Sequence, residues 1–259
     1  MNKYLFYRIT SKSNDKPRLD GFSKVDCLDN LLMYFPDYRM ICVADNCDDL
    51  IYELLQKKNF YKLVRTSLGN CGSFKYLLNV ELPALEDQDL IYFVEDDYLH
   101  RVGSCRALEE GLEYFDYVTL YDHPDKYGIN YPNINPLVPK GALSEVTQIV
   151  RGSSAIWRTT NSSTMTFGVF AKTIRMDAWI WRLVNTGFKT PRDFHAWVYL
   201  TGSREFSLKI PKTIFAAQLL SRMHTLIGAR RTLGVPLSSF SAHLQKDTLP
   251  ENFYLAFMG

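Results

Sequence analysis

Hydrophobic positions along the first 121 residues fall into two alternating patterns. Runs rich in apolar or β-branched residues occur at Tyr4 to Thr10 (YLFYRIT), Met40 to Ala44 (MICVA), Tyr61 to Arg65 and Leu90 to Val94, the last without interruption. Runs of this length predict strands, and the most apolar of them predict strands covered on both faces. Between them the spacing becomes helical. Lys24 to Tyr34 places Val25, Leu28, Leu31 and Leu32 on one face and is stopped by Pro36. Asp48 to Lys58 does the same with Leu50, Ile51, Leu54 and Leu55, and a third helix is expected from Ser73 to about Leu85. A helix over Val102 to Tyr114 and a short strand over Tyr117 to Tyr121 complete this part. Strand and helix in strict alternation predict an α/β fold with a mostly parallel sheet and right-handed crossovers.

The second half loses this rhythm. Asp122 to Gly141 is rich in proline and asparagine and shows no period, an unusual length of loop for a compact domain. Ser144 to Trp157 and Thr159 to Phe170 alternate in short blocks and suggest a small antiparallel β-ribbon. Ile174 to Asn185 reads as a helix ended by Gly187, and another starts at Pro191-Arg192-Asp193 and runs to Leu200. Trp179 and Trp181 cannot share one helix face, so at least one is expected in the core. No repeat or linker interrupts the chain. A single domain over 1–259 is expected, with a nucleotide-type half at 1–121 and an acceptor-type half at 122–259.

The strand at Leu90 ends in Glu95-Asp96-Asp97. Adjacent carboxylates repel and raise one another's pKa unless a cation or several donors neutralise them. In an open parallel sheet the loops after the strands lie on one edge, where ligands bind. Arg8 to Thr10, Asp45-Asn46, Asn70 to Ser73 and Glu95 to Asp97 all follow expected strands, so they can line one pocket. Asp45 can accept from a base N–H or a ribose hydroxyl, or serve only as a turn residue. The loop with Asn70 and Gly72 opens a helix and can offer N–H groups to an anion, or be a plain tight turn. A divalent metal on a diphosphate would satisfy the carboxylates.

In this order the parts resemble a glycosyltransferase of the GT-A fold, with Glu95-Asp96-Asp97 as an EDD form of that family's DxD motif. The resemblance covers roughly the first 120 residues and implies a GT-A (Rossmann-like) sheet with flanking helices. It implies a nucleotide-diphospho-sugar donor bound by Arg8, Thr10, Asp45, Asn70, Gly72, Ser73, Glu95 and Asp96. It also implies Mn2+ or Mg2+ held directly by Asp97, with a histidine from the C-terminal part as second ligand. His224 fits by order, and His195 competes. In inverting members a carboxylate near a helix start in the acceptor half is the general base. Asp193 occupies such a place, and Asp177 is a weaker rival; helix capping explains Asp193 equally well.

Composition adds little to this. The 46% apolar and 22% charged fractions are those of an ordinary globular chain, and a net charge of +2 gives no bulk attraction to nucleic acid. Five cysteines without CxxC spacing argue for free thiols, and with no signal-like segment or apolar span the expected location is cytoplasmic. Contact with a membrane would be peripheral at most, through Arg222, Arg230 and Arg231, although a solvated helix face explains them better. His123 and Lys126 could reach a diphosphate, with a solvated loop as the leading reading. The acceptor expected is a glycan or lipid-linked precursor; a modified nucleic acid has no support from charge. A nucleotidyltransferase or metal-dependent phosphohydrolase is the competing enzyme class, and a non-catalytic nucleotide-binding scaffold is the third reading.

Overall fold

A computed structural model describes residues 1–12, 18–128, 135–139, 141–202, 212–225 (side chains of 224 and 225 excepted), 230–250 and 253–257. Its first half follows the alternating pattern closely. The order is β1 (Lys3–Ile9), α1 (Lys24–Tyr34), β2 (Arg39–Asp45), α2 (Asp49–Gln56), β3 (Lys62–Thr66), α3 (Gly69–Tyr76) and β4 (Leu90–Glu95). Each helix start has a local cause. Ser23 and Asp26 form a reciprocal capping box on α1, and the Asp48 side chain accepts from Ile51 N at the start of α2. The third helix begins four residues before the expected Ser73. After Tyr76 it continues as a π turn and a 3-10 turn up to Ala84, at the Pro83 position.

Further along come β5 (Tyr98–His100), α4 (Ser104–Tyr114), β6 (Tyr117–Val118), β7 (Ile149–Arg151), β8 (Ile156–Thr159) and β9 (Phe167–Phe170). The chain continues with α5 (Ala171–Val184), α6 (Asp193–Thr201), α7 (Lys212–Thr225), β10 (Leu233–Pro236), β11 (Ser241–His243) and α8 (Phe253–Phe257). Nine strands make one sheet in the order β3-β2-β1-β4-β9-β6-β10-β8-β7. Within it only β8 and β9 run against the other strands. The mixed α/β class with a mostly parallel sheet and flanking helices is as expected. The antiparallel ribbon exists as β7–β8, but it is joined to the main sheet. Phe167–Phe170 is drawn away from that ribbon and inserted beside β4, because Phe167 and Val169 are fully buried and pack beside β4, Phe167 stacking on Phe93 at 4.9 Å. A separate pair, β5–β11, crosses the carboxyl edge of β4 and sets Tyr98 opposite His243.

Two apolar layers hold the sheet. One packs α1, α4 and one face of β1, β2 and β4 around Leu28, Leu31, Tyr92 and Trp157. The other packs α3, α5 and α6 around Phe93, Phe167, Trp181 and Trp197. Burial of residues from both faces of β4 explains why the sequence there is uninterrupted apolar. Trp181 is fully buried and Trp179 is 44% exposed, which divides the pair as helical spacing requires.

Candidate active site

The carboxyl ends of β1, β2 and β4 and the start of α3 meet around a cavity of about 300 Å³. It is lined by Arg8, Thr10, Asp45, Asn70, Ser73, Glu95, Asp96 and Asp97, with Ile9, Lys12, Asn46 and Gly69. Gly72 is absent from the lining. It sits inside α3, where an added Cβ would meet Leu68 Cβ at 2.6 Å, so its close approach is to the helix's own first turn.

Each lining residue has a defined anchor. Arg8 is buried, and its guanidinium donates to Asn70 O at 3.0 Å and to Glu95 Oε1 at 3.1 Å, linking β1, α3 and β4. Asp45 Oδ1 accepts from Thr66 Oγ1 at 2.9 Å, Leu68 N at 2.6 Å and Gly69 N at 3.2 Å. Its Oδ2 accepts from Asn46 Nδ2 at 2.7 Å. Asp45 thus shapes the turn into α3 and has one oxygen less fully engaged. Asn46 supports the same turn with a positive φ of 53°. Asp96 Oδ2 accepts from Thr10 N at 2.9 Å and pairs with Lys24 Nζ at 2.7 Å. Lys24 also donates to Lys12 O at 3.1 Å, so one lysine and one carboxylate hold the loop after β1 against α1.

Asp97 faces His243 from β11, with Nε2 to Oδ2 at 3.2 Å, and Arg18 lies 3.5 Å from the same oxygen. The His243 ring stacks on Tyr98 at 4.9 Å with the planes 9° apart, and Leu244 N donates to Asp97 O at 2.8 Å. The three carboxylates differ in their protonation tendencies. Burial pushes Glu95 up to about 7, with Arg8 opposing and Asp97 and Asp193 adding to it. Burial likewise raises Asp96 despite Lys24. At Asp97 burial acts upward too, but His243, Arg18 and Lys24 outweigh it and hold the carboxyl below its ordinary value.

Asp193 is the first residue of α6, half-buried, and lies near enough to Glu95 to raise its pKa. Its own Oδ1 accepts from Phe194 N at 2.8 Å. The rival Asp177 is elsewhere. It accepts from Tyr117 OH at 2.8 Å and pairs with Arg231 at 2.9 Å, at the amino end of β6, the edge opposite the cavity. His195 contacts Thr213 Oγ1 at 3.3 Å, in the seam between α6 and α7. His224 belongs to α7, but its side chain lies outside the described residues.

The sequence reading missed three contributors, Arg18, Lys24 and His243. The residue types were visible; the β5–β11 pairing that carries His243 to Asp97 was not. Lys126 departs from the solvated loop expected of it. It is buried, donating to Thr160 Oγ1 at 2.7 Å and Ser162 Oγ at 3.0 Å. Arg231 is tied to Asp177 and Asp116, and Arg230 donates to Thr201 O, so the basic tail does not form an open patch.

Among the described residues no group of three or more His, Cys, Asp or Glu side chains forms a metal cage. Asp97 with His243 is a two-donor set. Such a set leaves most of an ion's coordination to phosphate oxygens and water, and it does not fit a closed structural site. No helix among the described residues is long and apolar enough to cross a membrane.

No family model matches the chain, and no curated protein matches it. Among solved structures it is similar to 4-diphosphocytidyl-2C-methyl-D-erythritol synthase from Anaerococcus prevotii, with 14% identity and a TM-score of 0.44 over 85% of this chain and 96% of that one. HddC from Yersinia pseudotuberculosis is similar at 13% identity and 0.44, over 100% and 99% of the two chains. Residues 1–349 of TarS from S. aureus give 12% and 0.42, over 86% and 72%. Scores and identities this low leave the assignment of chemistry to the geometry of the site.

Proposed function

We propose that the chain is a transferase that binds a nucleotide-diphospho-sugar in the cavity at Arg8, Asp45 and Asp97 and passes the sugar to a hydroxyl acceptor. The observation that carries this is the meeting of four strand-end loops around one cavity whose floor is Glu95-Asp96-Asp97. In this reading Asp45 and Asn46 face the nucleoside, and the loop from Thr10 to Lys12 with the start of α3 faces the phosphates. Asp97 and His243 would hold Mg2+ or Mn2+, and the ion, when bound, supplies neutralisation of the diphosphate leaving group. Arg18, beside Asp96 and Asp97, adds a cation for the diphosphate. Asp193, across from Glu95, takes the proton from the acceptor hydroxyl, which favours inversion at the anomeric carbon. The acceptor is a glycan or lipid-linked precursor.

The test is turnover of a panel of nucleotide sugars with manganese, followed by Asp193→Asn. Loss of at least 100-fold in kcat with unchanged nucleoside diphosphate affinity is expected for a general base. Donor hydrolysis absent across the whole panel would sink the reading.

A second reading has one observation in its favour. Lys12 lines the cavity while Arg18 and Lys24 stand at the carboxylates, a cationic loop placed where a triphosphate would lie. That arrangement suits nucleotidyl transfer. Release of pyrophosphate rather than nucleoside diphosphate decides for it.

A further inference from the structure

A second groove, of about 460 Å³, opens on the same edge of the sheet, at the ends of β7 and β10 and the start of β8. Arg101, Arg151, the turn 152–156, Leu237, Ser238 and Phe240 line it, and none of these residues is acidic. The donor cavity, by contrast, has four carboxylates in its wall. Arg101 is fixed in place. Its Nε donates to Ser239 O at 2.8 Å, its Nη2 to Ser238 Oγ at 3.3 Å, and the guanidinium lies 4.0 Å from the centre of the Phe240 ring. A guanidinium has five N–H donors, so most of this fork is left for a ligand. Arg151 comes from the end of β7, and at the rim Arg106 Nη2 reaches Ser153 Oγ at 3.4 Å.

None of these three arginines has an ion pair among the described residues, whereas Arg8, Arg18, Arg158, Arg175 and Arg231 all do. The nearby Glu110 does not supply the missing charge. Its Oε2 accepts from Ser153 N at 3.0 Å and Ser154 N at 2.7 Å, and its Oε1 from Trp157 Nε1 at 3.0 Å, which turns it inward behind the turn. A preorganised guanidinium fork beside a second arginine, with no competing carboxylate in the wall, matches the geometry of phosphate recognition. Position limits which phosphate it is. Arg101 follows Asp97 by four residues, so their Cα atoms are at most about 14 Å apart. Ile156 and Leu237, both about half exposed, add an apolar wall for a carbon skeleton.

We propose that this groove binds a phosphate mono- or diester carried by the acceptor, holding it while its hydroxyl reaches the donor cavity. The assignment of the bearer as an acceptor rests on the transfer reading above; the phosphate site itself does not. The experiment titrates the full chain with inorganic phosphate, glycerol 3-phosphate and a nucleoside diphosphate, following arginine Nε–H signals by NMR. Wild type, Arg101→Gln, Arg151→Gln and Asp97→Asn are compared. In wild type and Asp97→Asn the Arg101 signal should shift saturably with glycerol 3-phosphate. Arg101→Gln should weaken that binding at least tenfold and Arg151→Gln at least threefold, with nucleoside diphosphate affinity unchanged. Arg151 lies exposed on an edge strand, so its variant keeps the test valid if Arg101→Gln folds poorly. An Arg101 signal that stays still at saturating phosphate, or wild-type affinity for glycerol 3-phosphate in both arginine variants, overturns the site. Inorganic phosphate binding as tightly as glycerol 3-phosphate overturns the acceptor assignment. Absence of nucleoside diphosphate binding in every protein, with the arginine effects intact, rejects the donor reading alone.

Discussion

Two clusters of buried charge lie on the carboxyl edge of this sheet, and they have similar ingredients. Glu95, Asp96 and Asp97 follow β4 and face Arg8, Arg18 and Lys24; Asp122 follows β6 and, with Glu145, faces Arg158 and Lys126. What differs is closure. In the second cluster Arg158 is 2% exposed, Glu145 and Lys126 3% each. Arg158 Nη2 meets Asp122 Oδ1 at 2.6 Å, its Nη1 meets Glu145, and its Nε meets Tyr127 OH at 3.2 Å. Every strong donor there is consumed by the protein, so the cluster fastens the segment 122–127 and Glu145 to β8 and the turn that follows it. In the first cluster Arg18 stands 3.5 and 3.7 Å from its carboxylates, and the Glu95 side chain is still 25% exposed to the cavity. Charge that is already neutralised at short range serves the fold. Charge neutralised loosely beside a cavity is available to a ligand.

That contrast can be broken most sharply at Arg158. Arg158→Ala leaves Asp122 and Glu145 buried without the guanidinium that pairs with both, and a loss of about 3–5 kcal/mol in urea unfolding is expected. Nucleoside diphosphate affinity of the folded fraction should stay as in wild type. A loss below about 1 kcal/mol would show that the sealed cluster does not hold the fold.

Asp97→Asn should act in the opposite sense. About a 100-fold fall in metal-dependent turnover is expected, equivalent to roughly 2.7 kcal/mol, with unfolding free energy within about 1 kcal/mol of wild type. Full activity with manganese would remove Asp97 from the metal. His243→Ala tests the other donor: a rise in the metal concentration needed for half-maximal turnover, by about 10–100-fold, separates a ligand from a stacking partner of Tyr98.

A smaller effect concerns Glu110, another sealed carboxylate. Burial acts to raise its pKa, but its bonds from Ser153, Trp157 and Ser154 outweigh this and hold it at about 2. A depressed carboxyl pKa gives stability that is present above the unfolded value near 4.5 and lost as pH falls toward 2. Glu110→Gln should therefore cost about 1–2 kcal/mol at pH 7, and the gap to wild type should narrow as urea unfolding is repeated down to pH 3. A gap that does not change with pH would mean packing rather than charge holds the 152–154 turn. Gly152 belongs to the same device, since a Cβ there would lie 1.9 Å from Glu110 Oε1.

Much of the first half was legible because its signals are local. Leu90 to Val94 is apolar throughout since both of its faces are covered, and Ser23 with Asp26 marks the start of α1 in four residues. The second half was much less so. The reversal of β9 into the centre of the sheet depends on Phe167 stacking between Phe93 and Trp181, residues far apart in sequence. Four-residue β10 carries too little pattern of its own, and it pairs in parallel with β6 only because the sheet supplies a free edge. Lys126 looked solvated for the same reason: the oxygens that bury it come from 160–162.

The sequence by itself determined that four strand ends would share one edge and that three carboxylates would need positive partners there. Period and turn chemistry fix that much without any long-range contact. Which partners arrive was decided only by tertiary structure. Arg18 and Lys24 reach Asp96 and Asp97 because the loop after β1 folds back onto α1, and His243 reaches Asp97 because β11 pairs antiparallel with β5, with Ser241 opposite His100, 141 positions earlier in the chain. Coulomb attraction selects among such partners only after packing has brought them within a few ångströms, and packing is a property of the whole sheet.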